Sequence, residues 1–166
     1  MRVNALANAE VGKFLNEHFV SSFQKVATFK IVGGQKQGGN VASYFCTPDG
    51  RVLHSIAGPV NADVLLREAR WVVETAKMAQ LDGAKSEARL KLFWRKAHAE
   101  RLKNEHNLDL THASQKRRRP ALNNPGRVHL LLATAPLPHL EQVYKLVFEK
   151  ILNEKVSTAP VVQVRR

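Results

Sequence analysis

The sequence predicts an α/β protein: a hairpin-containing N-terminal half with flanking helices, followed by an α-rich, basic C-terminal extension. Three observations carry that reading. Apolar residues recur at helical spacing in four segments, a Thr47-Pro48-Asp49-Gly50 turn separates two short apolar runs, and 44% of the 166 residues are hydrophobic. A domain of about 150 residues hides roughly 70% of its unfolded surface, so such a core needs no disulfide staple. The division expected is a core over residues 1–82 and an extension over 83–166, packed together as one compact unit.

The first element is a helix from about Asn4 to His18. Val11, Phe14, Leu15 and His18 fall at helical spacing, and Asn4 or Asn8 is placed to cap it. Phe19 to Val32 is rich in Val, Phe, Thr and Ile without proline, and reads as one bent strand or two short ones. Gly33-Gly34 and Gly38-Gly39 bracket Gln35-Lys36-Gln37, which marks a loop. Val41 to Cys46 and Arg51 to Ile56 are the two arms of a β-hairpin. Between them, Pro48 presets φ for a type I turn and Gly50 takes the left-handed position that follows.

Asn61 caps the next helix, with Asp63 in its first turn against the helix dipole. Leu65, Ala69, Val72, Ala76 and Ala79 mark one face of it to about Gln80. A further helix from about Ala84 to Asn104 presents Leu92, Ala99 and Leu102, with Phe93 and Trp94 assigned to the core. Asn107 to Gly126 is polar and reads as an exposed loop. Arg127 to Ala133 returns to strand-like residues, and Leu140 to Asn153 is an amphipathic helix with Val143, Leu146, Val147 and Ile151 on one side. Ser157 to Arg166 is expected to add an edge strand.

The order strand, Thr-Pro-Asp-Gly turn, strand, glycine and capped helix, "VASYFCTPDGRVLHSIAGPVNADVLLREARWVV" over residues 41–73, resembles the C-terminal half of thioredoxin-like domains. With the helix and β-rich stretch before it, the resemblance covers about residues 4 to 80. It implies a partial or N-terminally truncated thioredoxin-like sheet. Two departures limit what it implies about activity. That family's Cys-x-x-Cys sits where this chain reads Met1-Arg2-Val3-Asn4, and its cis-proline aligns with Val41. The family's first strand is likewise missing, so either the native protein begins upstream of Met1 or another segment fills the slot. Arg127 to Ala133 is the candidate within the chain.

Chemistry is sparsely signalled. Cys46 is the single cysteine, which excludes dithiol chemistry within the chain. On strand alternation it shares an inward face with Ala42 and Tyr44, where cysteine acts as a small hydrophobe. His98, His106 and His112 flank the basic helix and loop without the spacing of a helical ligand pair, so no metal site is read from them. The glycine-bracketed loop lacks the Gly-Lys-Ser/Thr ending of a phosphate loop. No catalytic grouping stands out, and no cofactor is expected.

The net charge is +12, and residues 85–119 hold eleven Lys and Arg against four Asp and Glu. Arg95, Lys96, Lys116, Arg117, Arg118 and Arg119 are the candidate polyanion-binding residues, through phosphate contacts of the arginines. The function expected is a non-catalytic thioredoxin-like binding or scaffold module, with a protein partner or self-association. Two alternatives stand beside it: a redox protein whose Cys-x-x-Cys lies upstream of Met1, and a nucleic-acid binder acting through the basic stretch. No secretory signature opens the chain, and no apolar run approaches the ~20 residues a membrane span needs, so a cytoplasmic location without membrane insertion is expected.

Overall fold

The computed structural model describes residues 5–24, 30–32, 35–37, 39–82, 86–112 and 121–156, with backbone alone for 30–32, 35–37 and 112. Helix α1 (Ala9–His18) starts where the Asn8 side chain accepts from the backbone N–H groups of Glu10 and Val11. Phe19 to Gln24 runs without regular structure, and Val20 and Phe23 stand fully exposed on it. Strands β1 (Lys30–Val32) and β2 (Gln35–Gln37) pair antiparallel, so the glycine-bracketed segment expected as a loop supplies a short strand.

Strands β3 (Ala42–Cys46) and β4 (Val52–Ala57) form the expected hairpin. Its turn is closed by Gly50 N–H to Thr47 C=O and Thr47 N–H to Arg51 C=O, both 2.9 Å, and Gly50 takes φ +79°. The register is not uniform. Phe45 pairs with His54 and Cys46 with Val52, so Leu53 is the extra residue of a β-bulge. Alternation along β4 points Val52 and Leu53 to opposite sides, and the bulge then keeps His54 on the side of Leu53. Val52 joins the apolar cluster of Val128, Leu132, Val143, Val147 and Ile151, whereas Leu53 joins that of Val11, Phe45, Leu65, Val72 and Trp94. Cys46 packs on the first of these clusters with Ala42 and Tyr44, half-buried, and burial raises its thiol pKa.

Helix α2 (Ala62–Leu81) is capped by Asn61, whose side chain accepts from Val64 N–H at 2.9 Å. Leu65, Ala69, Val72 and Ala79 are buried along it as their spacing predicts. Helix α3 (Glu87–His106) starts at Ser86 and ends at Asn107 in the left-handed region, φ 53°. Its buried stripe is Trp94, His98 and Leu102 at steps of four, and Leu92, expected inside, is half exposed.

Residues 127–133 are helical rather than extended. Expected as a strand filling a vacant slot in the sheet, they lie in helix α4 (Asn124–Thr134). Asn123 accepts from Gly126 N–H at 3.0 Å and Pro125 sits in the first turn, so the Asn-Asn-Pro-Gly that reads as a loop is a helix start. Val128 and Leu132, and His129 and Ala133, are two i,i+4 buried pairs. A short apolar run has no period of its own, and here the cap decides its class.

Helix α5 (Leu140–Leu146) continues into a π-turn over Val147–Ile151, and Leu146 faces out against expectation. Arg127 donates to the carbonyls of Lys150 and Ile151, tying α4 to that turn. The architecture is mixed α/β: α1–α3 cover one face of the β3–β4 hairpin, α5 and the π-turn lie toward the other, and α4 packs both on β4 and directly on α3 through Leu102 and Ala133. No described helix is long and apolar enough to cross a membrane. The C-terminal edge strand expected at 157–166 lies outside the described residues.

Removing the α4 cap by Asn123→Ala should cost about 1 kcal/mol, and Leu132→Ala about 2–5 kcal/mol, in urea denaturation. If α4 were peripheral, neither change would move the midpoint.

Candidate metal centre: three buried histidines

The bulge that makes Leu53 the extra residue also turns His54 toward α2 and α3. There it meets His98 from α3 and His129 from α4. All three are 3% exposed or less. Ring centroids lie 5.8 Å apart for His54 and His98, 5.1 Å for His54 and His129, and 5.0 Å for His98 and His129. One nitrogen from each ring falls within 4.8 Å of the others. Nitrogens bound tetrahedrally at 2.0–2.1 Å from a zinc ion are about 3.3 Å apart, so ring movements of ~1 Å would seat an ion.

Hydrogen bonds define which nitrogens are free. His98 Nε2 donates to the Leu53 carbonyl at 2.9 Å, since a carbonyl oxygen only accepts. The lone pair of the neutral ring is then on Nδ1, 2.8 Å from His129 Nδ1, which donates to it. His54 Nε2 faces Glu68 Oε2 at 3.4 Å, and His54 Nδ1 is buried without a hydrogen-bond partner. A buried polar atom left unpaired costs ~1–3 kcal/mol, which a bound cation would recover.

Burial lowers the pKa of each ring. It pushes His98 down to about 3, helped by its histidine and arginine neighbours. For His54 burial outweighs the opposing pull of Glu68. His129 is held lower still, by burial and then by the neighbouring rings. The rings are therefore neutral near pH 7, and neutral imidazole is the form that ligates.

Around this centre stands a polar and aromatic shell. Trp71 meets all three rings edge-on at 5.1–5.7 Å, and Phe45 stacks on His54 at 6.2 Å. Arg101 lies over Trp71 at 4.7 Å and donates to both oxygens of Glu68 and both of Glu105. Burial alone would raise the Glu68 carboxyl. Its contacts with His54 and Arg101 instead hold it well below the usual range. With His54 neutral, Arg101 supplies the charge responsible. Arg101 and Glu105 also line a cleft of about 610 Å³ between α1, α2 and α3, together with Glu10, Asp63, Arg70 and Trp71.

The polyanion-binding candidates lie elsewhere. Arg95 and Lys96 are exposed on α3, and Lys116, Arg117, Arg118 and Arg119 lie outside the described residues. Arg101, counted with the basic stretch, is only 11% exposed and bound in the Glu68–Glu105 pairs. The three histidines escape a search for ligand spacing because 44 and 31 positions separate them along the chain. One signal is local: His98 sits four residues from both Trp94 and Leu102, and His129 sits between Val128 and Leu130, each at a position otherwise apolar. No family model, no curated protein and no solved structure matches the chain.

Stability should fall in acid. His54, His98 and His129 titrate lower in the fold than the ~6.5 of an unfolded histidine, so the unfolded state binds more protons below that pH. Their contribution is complete above about pH 6.5 and is lost as pH falls toward the folded values; that of Glu68 follows below about 4.3. In chelator, the urea midpoint should be level near pH 7–8 and drop steadily below 6.5. A midpoint level from pH 7 to 5 would contradict the buried neutral cluster.

Proposed function

We propose that this chain is a metal-binding protein that holds one divalent transition ion through His54, His98 and His129. The observation that carries the proposal is the convergence of three neutral, buried imidazoles from β4, α3 and α4, with one ligand-competent nitrogen, His54 Nδ1, otherwise unpaired. Imidazole donors suit zinc, copper, nickel and cobalt, and three histidines leave a coordination position for water or a further ligand. Under this reading the half whose sequence resembles thioredoxin-like domains is a scaffold without redox chemistry of its own. Support for that comes from Cys46, a single half-buried thiol whose pKa burial raises, away from the histidines' face of the hairpin.

The zinc-free chain should take up one Zn²⁺ or Co²⁺ in calorimetry and in metal analysis after dialysis. At an ion concentration 100 times Kd the gain in stability is about 2.7 kcal/mol, a rise in Tm of roughly 5–10 °C for a chain of this size. His54→Leu should abolish uptake yet leave the zinc-free chain folded, because it removes the unpaired nitrogen together with the ring. A wild-type chain that binds no ion, or a His54→Leu chain that keeps it, sinks the proposal.

A second reading, polyanion or nucleic-acid binding through the basic stretch, rests on the exposure of Arg89, Arg95 and Lys96 along α3. Binding of this kind weakens steeply with salt. RNA or DNA affinity should fall at least tenfold between 50 and 200 mM salt, and fall again in Arg95→Ala/Lys96→Ala. Salt-independent affinity removes this reading.

A further inference from the structure

We infer that Glu68 is a positioning residue of the metal centre: its carboxylate fixes the proton of His54 on Nε2 and so presents Nδ1 to the ion, with Arg101 locking the carboxylate in place. The inference rests on the metal-binding reading and adds the device that prepares it. A neutral imidazole carries one ring proton. With Glu68 Oε2 3.4 Å from Nε2, that proton sits on Nε2 and the lone pair on Nδ1, the atom left buried and unpartnered.

His98 is prepared in the same way by a different acceptor. The Leu53 carbonyl takes its Nε2–H at 2.9 Å and leaves Nδ1 as the lone-pair nitrogen. Two rings from different elements thus carry the lone pair on the same atom, each oriented by an oxygen; that of His98 accepts from His129 Nδ1, and that of His54 has no hydrogen-bond partner. An oxygen acceptor behind a ligating histidine fixes the tautomer and raises the basicity of the ligating nitrogen. Glu68 is not one of the three grouped donors, so it acts through His54.

Glu68 is itself held in place. Its side chain is 9% exposed and projects from α2, and Arg101 of α3 donates to both of its oxygens. Arg101 in turn is fixed by Glu105 one turn along α3 and by the face of Trp71. Rotating the carboxylate away from His54 would break its hydrogen bonds with Arg101 and Arg67, and a buried carboxylate without its cations is costly.

The test uses the full chain, zinc as the probe, and two variants. Glu68→Gln weakens the acceptor, and Glu68→Met with Arg101→Met removes both charges at similar volume, which keeps a foldable protein should the single change fail. Nitrogen-15 NMR of the zinc-free wild type should show His54 as the Nε2–H tautomer, a signature that a purely structural Glu68 would not set. Zinc affinity should fall 10–100-fold in both variants, with the same three nitrogen donors seen by X-ray absorption. An Nδ1–H tautomer in the wild type, unchanged affinity in a folded variant, or an oxygen donor lost on substitution overturns the inference. A wild-type chain that binds no zinc overturns the metal reading itself, and the role of Glu68 with it.

Discussion

The hydrogen bond from His98 Nε2 to the Leu53 carbonyl joins the helical half of the chain to the hairpin, and the buried centre depends on it. Strand β4 is buried along nearly its whole length but has a strand partner on one side alone among the described residues. At Leu53 the bulge takes a residue out of the pairing with β3, and a buried carbonyl without a donor is costly. Helix α3 supplies that donor. A side chain meeting it from a helix must be long enough to reach and must carry an N–H, and histidine offers this while its second nitrogen accepts from His129.

The same bulge explains why polar groups collect at this depth. It brings Leu53 and His54 into the space between the hairpin and α2–α3, so an imidazole occupies ground that a regular strand would give to an apolar residue. An imidazole there needs its own partner, and Glu68 provides it. A buried carboxylate needs a cation, and Arg101 provides that, shared with Glu105 at the margin of the cleft. Each polar group is present because the previous one would otherwise be unsatisfied. Such chains rigidify a core when complete, and the unpaired His54 Nδ1 is the place where this one stops.

Local chemistry is legible where it acts over a few residues. The Thr47–Gly50 turn, the caps at Asn8 and Asn61 and the buried face of α2 follow from turn geometry, capping and helical period. Residues 127–133 read as strand although they are helical, because a run of Val, His, Leu and Ala fits either class. The Asn-Asn-Pro-Gly before them likewise fits either a loop or a helix start. In α3 the apolar pattern points to Leu92, Ala99 and Leu102 with Trp94 in the core; Trp94 and Leu102 are buried, Leu92 is half exposed, and the middle of the buried stripe is His98. A pattern that counts histidine as polar cannot find a stripe with histidine at its centre.

By itself the sequence determined the mixed α/β class, the hairpin and its turn, the absence of an internal dithiol and the concentration of positive charge. These depend on composition or on neighbours within one turn of chain. Only the tertiary structure decided that His54, His98 and His129 share one buried site, that Arg101 belongs to Glu68 rather than to the basic surface, and that α4 is a helix beside β4. The physical reason is the length of chain between the partners. The geometry of histidines 44 and 31 residues apart, and of an ion pair 33 residues apart, is set by a strand bulge and the packing of three helices, and no local period records it.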